Sequence, residues 1–125
     1  MSKELLADLE AIAEFLQGVR IDSATEKQAQ ADLEQALSDA GWNFSREHRL
    51  SGSDIPDFLV QSNQSSIVIE LKTRAQRKRI YRQLERYAQH DQVHALVLMT
   101  GTAMQLPSEI NGKPACVASL GAGWL

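Results

Sequence analysis

A mixed α/β fold, one sheet flanked by helices, is predicted by three features of this 125-residue chain. Two stretches with apolar residues at helical spacing open it. Three short strand-like runs follow, joined by tight polar links. A basic helical stretch then leads into the continuous apolar run from Ala95 to Met99. Short links favour an antiparallel meander, whereas a helix between two strands favours a parallel crossover, so the sheet is expected to be mixed.

Each element has its own signal. Residues 3–17 place Leu5, Leu6, Leu9, Ile12, Ala13 and Leu16 at helical spacing, and Gly18 follows as a stop. The outer face of this helix is read as acidic, with Glu4, Asp8, Glu10 and Glu14. A second helix is expected from near Ser23, with Glu26 completing a capping box, and it runs through Ala29, Leu33, Ala36, Leu37 and Ala40 to Gly41. Phe44 to Leu50 reads as a polar, alternating strand. Ser51-Gly52-Ser53 makes a turn before a strand from Ile55 to Gln61, and Ser62 to Ser65 turns into a strand from Ser66 to Thr73. A helix from Ala75 to His90 turns Ile80, Leu84, Tyr87 and Ala88 inward. The run from His94 to Thr100 has the pattern of a strand buried on both faces. Pro114 to Leu120 supplies a last strand after a loop containing Pro107 and Gly112.

The most informative stretch lies at the middle strands. Glu70 and Lys72 are two apart on one strand and so share a face, while Ile67, Ile69 and Leu71 take the other. A strand that is otherwise apolar has little structural reason for a carboxylate and an ammonium side by side. Two carboxylates from neighbouring strands, Asp57 and Glu70, can hold a hard divalent cation, and a lysine beside them can orient or deprotonate a water. The alternative for each residue alone is ordinary: a solvated pair for Glu70 and Lys72, a turn aspartate for Asp57.

Pro56-Asp57, twelve further residues and then Glu70-Leu71-Lys72 resemble the PD-(D/E)XK nuclease signature. Gln83 and Tyr87, four apart on the next helix and therefore on one face, are similar to the Gln-x-x-x-Tyr element of RecB-like nucleases in that superfamily. The resemblance implies a restriction-endonuclease-like αβββαβ core over residues 23–100 of a single domain spanning 1–125. Residues 1–18 are then an added N-terminal helix, and 101–125 a C-terminal loop and strand. It further implies a metal-dependent nuclease acting on DNA, an endonuclease rather than an exonuclease, in repair, recombination or phage DNA processing. Asp57, Glu70 and the Leu71 carbonyl would be the metal ligands, and Lys72 would position the attacking water. Gln83 and Tyr87 would shape the site. Oxygen ligands with open water positions suit Mg²⁺ or Mn²⁺. A homodimer, and a bacterial or phage-encoded protein in the cytoplasm, are the matching expectations. The alternative is an inactive nucleic-acid-binding module, or a partner subunit of a larger complex, with the same fold.

Many members add an acid on the helix before the first strand. Glu26, Glu34 and Glu47 are the candidates. At about 100° per residue, Glu26 lies near the centre of the apolar arc and Glu34 outside it, which selects Glu26.

The net charge of −3 is mild, but its distribution is not even. Lys72, Arg74, Arg77, Lys78, Arg79, Arg82 and Arg86 fall within fifteen residues, with Glu85 the only acid there, while the first 71 residues hold thirteen of the sixteen acids. A solvated face is the bland explanation. However, Arg74, Arg77, Lys78, Arg79 and Arg82 crowd a helix start, where the dipole disfavours cations, and phosphate binding explains that placement better. The run is read without an aromatic platform for base stacking, so no reading of base sequence is indicated. His48, His90 and His94 have no metal-ligand spacing and are read as surface or strand-end residues. The single cysteine, Cys116, excludes an internal disulfide and reads as a core residue. No apolar run approaches the ~20 residues of a membrane span, and the acid-bearing N-terminus does not resemble a secretory signal.

Overall fold

The computed structural model describes residues 2–22 and 24–120. Among the described residues, three helices and six strands are arranged in the order α1 (Lys3–Gln17), α2 (Glu26–Asp39), β1 (Asn43–Arg46), β2 (Phe58–Ser62), β3 (Ser65–Lys72), α3 (Arg77–Ala88), β4 (Ala95–Thr100), β5 (Glu109–Ile110) and β6 (Lys113–Ser119). The sheet order is β1-β2-β3-β4-β6-β5. β1, β2 and β3 form the expected antiparallel meander. β4 lies parallel to β3, because α3 carries the chain back across the sheet before β4 begins, and β6 lies parallel to β4.

Side-chain alternation divides the core into two layers. Phe58, Val60, Ile67, Ile69, Leu71, Val97 and Met99 pack against Leu9, Ile12 and Leu16 of α1 and Ala29, Leu33 and Leu37 of α2. Leu59, Val68, Leu96 and Leu98 point the other way, against Ile80, Leu84, Tyr87 and Ala88 of α3. Every residue of β4 is buried, as its unbroken apolar run predicts. Among the described residues, no helix is long and apolar enough to cross a membrane.

Several boundaries differ from the sequence expectation, each for a local reason. β1 stops at Arg46 rather than Leu50 because Glu47 takes a left-handed backbone (φ 48°), which ends regular pairing. Its N–H still bonds the Asp57 carbonyl at 2.8 Å. β2 begins at Phe58 rather than Ile55, so Asp57 is the residue entering the strand and not part of it. The cap of α2 is Thr25, whose hydroxyl accepts from the Gln28 N–H at 3.1 Å. Glu26 is thus the first helical residue, and the expected capping box at Ser23 lies outside the described residues. α3 starts at Arg77 behind Gln76, which makes no side-chain cap, and ends at Ala88 rather than His90. Asp8 is not on an acidic outer face. It is buried, accepting from Asn63 Nδ2 and Ser65 Oγ at 2.7 Å each, and so ties α1 to the β2–β3 turn. The two-residue β5 has no sequence signal of its own.

Candidate active site

The β3 alternation places Glu70 and Lys72 on the same face as Val68, beneath α3. Glu70 is only 1 % exposed. A carboxylate so buried is costly unless it is partnered, and its partners are explicit. The Asp57 backbone N–H donates to Glu70 Oε1 at 3.0 Å, and Lys72 Nζ lies 3.2 Å from Oε2. The Tyr87 hydroxyl stands at 3.5 Å from Oε2, the outer limit of a hydrogen bond. Asp57 is partnered in turn, its Oδ2 accepting from the Leu71 N–H at 2.8 Å. Glu70 thus holds the backbone of Asp57, and Asp57 holds the backbone of Leu71, the residue after Glu70, so the two carboxylates lie side by side at the start of β2. Glu70 is therefore buried and paired with Lys72 rather than solvated.

The ladder between β2 and β3 runs no further than Phe58 opposite Ile69. The Leu71 N–H thus meets a side chain in place of a strand, and the Leu71 carbonyl, which shares the same edge of the strand, faces the Asp57 side.

α2 supplies the rest of the wall. Glu26 Oε1 accepts from the Thr73 N–H at 3.2 Å, at the end of β3. Gln30, one helical turn on, donates from Nε2 to Asp57 Oδ1 at 3.1 Å. Arg46 then reaches Gln30 Oε1 at 3.5 Å and Glu34 Oε1 at 3.2 Å, with its guanidinium 5.1 Å from the centre of the Phe58 ring. Glu34 thus pairs with Arg46, while Glu26 stands at the strand end. Sequence reasoning missed Gln30 and Arg46. Gln30 had a signal, being four residues after Glu26 and on its face; Arg46 had none, since its partners are twelve and sixteen residues away.

Charge in the site is unbalanced toward the acids. Burial, and next the neighbouring Asp57, push the Glu70 carboxyl up to about 7. Burial likewise raises the Asp57 carboxyl. Burial alone would disfavour the Lys72 ammonium, yet Glu70 and Asp57 outweigh it and hold the lysine protonated. Tyr87 remains a phenol, held there first by burial and then by the two carboxylates, against a smaller opposing effect of Gln83.

Three carboxyls (Glu26, Asp57, Glu70) crowd beside one close ammonium, and a divalent cation placed among them would favour their ionised forms. The available donors are all oxygen, which fits Mg²⁺ or Mn²⁺ and not zinc. Among the described residues, no three His, Cys, Asp or Glu side chains converge as a ready-made cage. Two carboxylates and a carbonyl suit an ion that keeps several waters.

A cleft of about 830 Å³ opens beside these groups, with Glu26, Lys72, Arg74, Lys78, Arg79, Arg82, Gln83 and Arg86 among its walls. Glu70 and Asp57 do not reach its surface. Arg77 turns away to the opposite flank of α3, where its Nε donates to the Ala103 carbonyl at 2.8 Å. At the far end of α3, Asp54 accepts from Arg86 Nε at 3.1 Å and pairs with His90 Nε2 at 2.8 Å. This pins the loop that delivers Asp57, and it moves His90 from a surface residue to a structural one. Tyr81, inside the basic run, is half-buried on the flank with Arg77; the reading that no aromatic accompanies the cations is corrected.

No protein-family profile matches the chain, and no curated protein matches it significantly. Among solved structures, it is similar to the small subunit, R.BspD6I2, of the heterodimeric restriction endonuclease R.BspD6I, at 16% identity and a TM-score of 0.49, over 88% of this chain and 72% of that one.

Proposed function

We propose that the protein is a metal-dependent nuclease that hydrolyses DNA phosphodiester bonds. The observation that carries this reading is the pairing of Asp57 and Glu70 through the N–H groups of Asp57 and Leu71, with Lys72 between these carboxylates and a basic cleft. In this reading Asp57, Glu70 and the Leu71 carbonyl hold the cation. Such an ion neutralises charge on phosphate oxygens and brings water closer to hydroxide. The chain's own residues do the remainder. Lys72 keeps its ammonium and directs its donors at the attacking water or the scissile phosphate. Arg74, Arg79 and Arg82 hold the flanking phosphates. Glu26 closes the acidic side of the cleft, Tyr87 backs the Glu70 carboxylate, and Gln83 lines the cleft wall one helical turn away.

The test is cleavage of linear and supercoiled DNA in Mg²⁺, Mn²⁺ or EDTA, beside Asp57→Ala. Cutting with either metal, and none in EDTA or with the variant, is expected. Cutting that persists in EDTA would overturn the metal site. One observation favours a second reading, nucleic-acid binding without cleavage: each carboxylate already commits one oxygen to a backbone N–H. Salt-dependent binding with no cutting in any metal would select that reading.

A further inference from the structure

The basic residues of α3 serve two grooves rather than one. Lys78 and Arg82, four apart and so in line along the helix, border the cleavage cleft and also a second groove of about 660 Å³ on the opposite flank. They form a cationic ridge between the two. The second groove is lined by Arg77, Tyr81 and Met104 in addition, with Glu85 at its margin. It is chemically unlike the first: a half-buried aromatic ring and a thioether are framed by three cations and one acid. Arg77 is braced there on the Ala103 carbonyl.

Duplex DNA offers phosphates to such cations but hides its base faces in the stack. An unpaired strand offers both, and any base can stack on an aromatic ring while its phosphates meet Arg and Lys. From this complementarity we infer that the second groove binds an unpaired DNA strand, diverging across the Lys78–Arg82 ridge from the paired segment in the cleavage cleft. The substrate class is then DNA with a junction between paired and unpaired strands, such as a fork, flap or tailed end. This inference rests on the nuclease reading and assigns the substrate of that site.

The experiment measures affinity by fluorescence anisotropy, in EDTA so that nothing is cut and at one fixed salt concentration. Blunt duplex is compared with the same duplex carrying a single-stranded tail. The tail is expected to tighten binding by about 5- to 150-fold, the range of one stacked base. Tyr81→Leu, which keeps apolar bulk, should remove that increment and leave blunt-duplex affinity unchanged; Tyr81→Phe should retain it. A tail that adds nothing, or an increment that survives Tyr81→Leu, overturns the groove's assignment while leaving the nuclease reading intact. No binding to any DNA overturns both. Should Tyr81→Leu melt well below wild type, photocrosslinking from 5-bromouracil in the tail of wild-type complexes decides. Adducts at Tyr81 or Met104 support the assignment; adducts confined to the cleavage cleft refute it.

Discussion

Gln30 shows how a neutral side chain can govern a charged site. Its amide fixes one oxygen of Asp57, and Arg46, anchored by Glu34, fixes Gln30 in turn. Groups that orient a metal ligand typically contribute about 10- to 100-fold in metal affinity or activity. Gln30→Ala should therefore weaken Mn²⁺ binding, read by calorimetry, by about that factor, with little change in melting temperature. Unchanged affinity would mean Asp57 needs no such support. Asp54 is a second residue whose surroundings predict behaviour. The His90 hydrogen bond, followed by Arg86, holds its carboxyl below the ordinary 3.8 despite the opposing effect of burial. The folded state thus gains stability from ionised Asp54 above that value and loses it as pH falls toward the depressed folded one. Asp54→Asn should flatten the acid limb of stability against pH, below about pH 4. The variant should also cost about 1–3 kcal/mol at neutral pH, because His90 and Arg86 lose a charged acceptor; parallel acid limbs would contradict this. Both predictions concern contacts between residues far apart in the chain; the spacing from Glu26 marked the face of Gln30, but nothing in the sequence showed its partner or those of Asp54. The Glu70 and Lys72 pair was legible, since strand alternation fixes their common face without any knowledge of partners.

At the scale of elements, α3 trades stability for charge. Its first turn holds Arg77, Lys78 and Arg79 with no acid, and Gln76 provides no side-chain cap. Cations there oppose the helix dipole. Gln76→Ser should stabilise the protein by roughly 0.5–2 kcal/mol through a new N-cap, whereas Gln76→Asp should add similar stability and weaken DNA affinity by placing an acid in the cleft. Urea melts and anisotropy separate the two; if both variants leave stability unchanged, the start of α3 is not under such strain. Arg79→Ala and Arg82→Ala should each lower the slope of log affinity against log salt by about 0.9 if each neutralises one phosphate, and an unchanged slope would refute that role. The existence of α3, its buried face and its basic start were plain from periodicity and composition. Its outward division into two flanks was not, because that depends on which loops lie alongside. Likewise β1 was overextended, since nothing in its polar alternation foretold the left-handed Glu47.

For the whole molecule, the sheet is the shared wall of two cores, one under α1 and α2 and the other under α3. Truncating either should therefore lower one cooperative transition. Leu33→Ala and Leu84→Ala, both fully buried, should each cost about 2–5 kcal/mol without splitting the denaturation curve, and two separate transitions would contradict a single folding unit. The sheet order and the opposite placement of the helices bring β3, the N-terminal part of α2 and α3 to one end, where the carboxylates meet the cations. The fold was readable because its strands and helices carry strong periodicities; the site was readable only where spacing along one element set its geometry. The central claim is that Lys72 acts beside a cation held by Asp57 and Glu70. It is tested most directly by single-turnover cleavage of end-labelled DNA at saturating Mg²⁺, comparing wild type with Lys72→Met. A rate at least about a hundredfold lower for the variant, at similar DNA affinity, is predicted. An equal rate, or no cleavage by wild type, would contradict the claim.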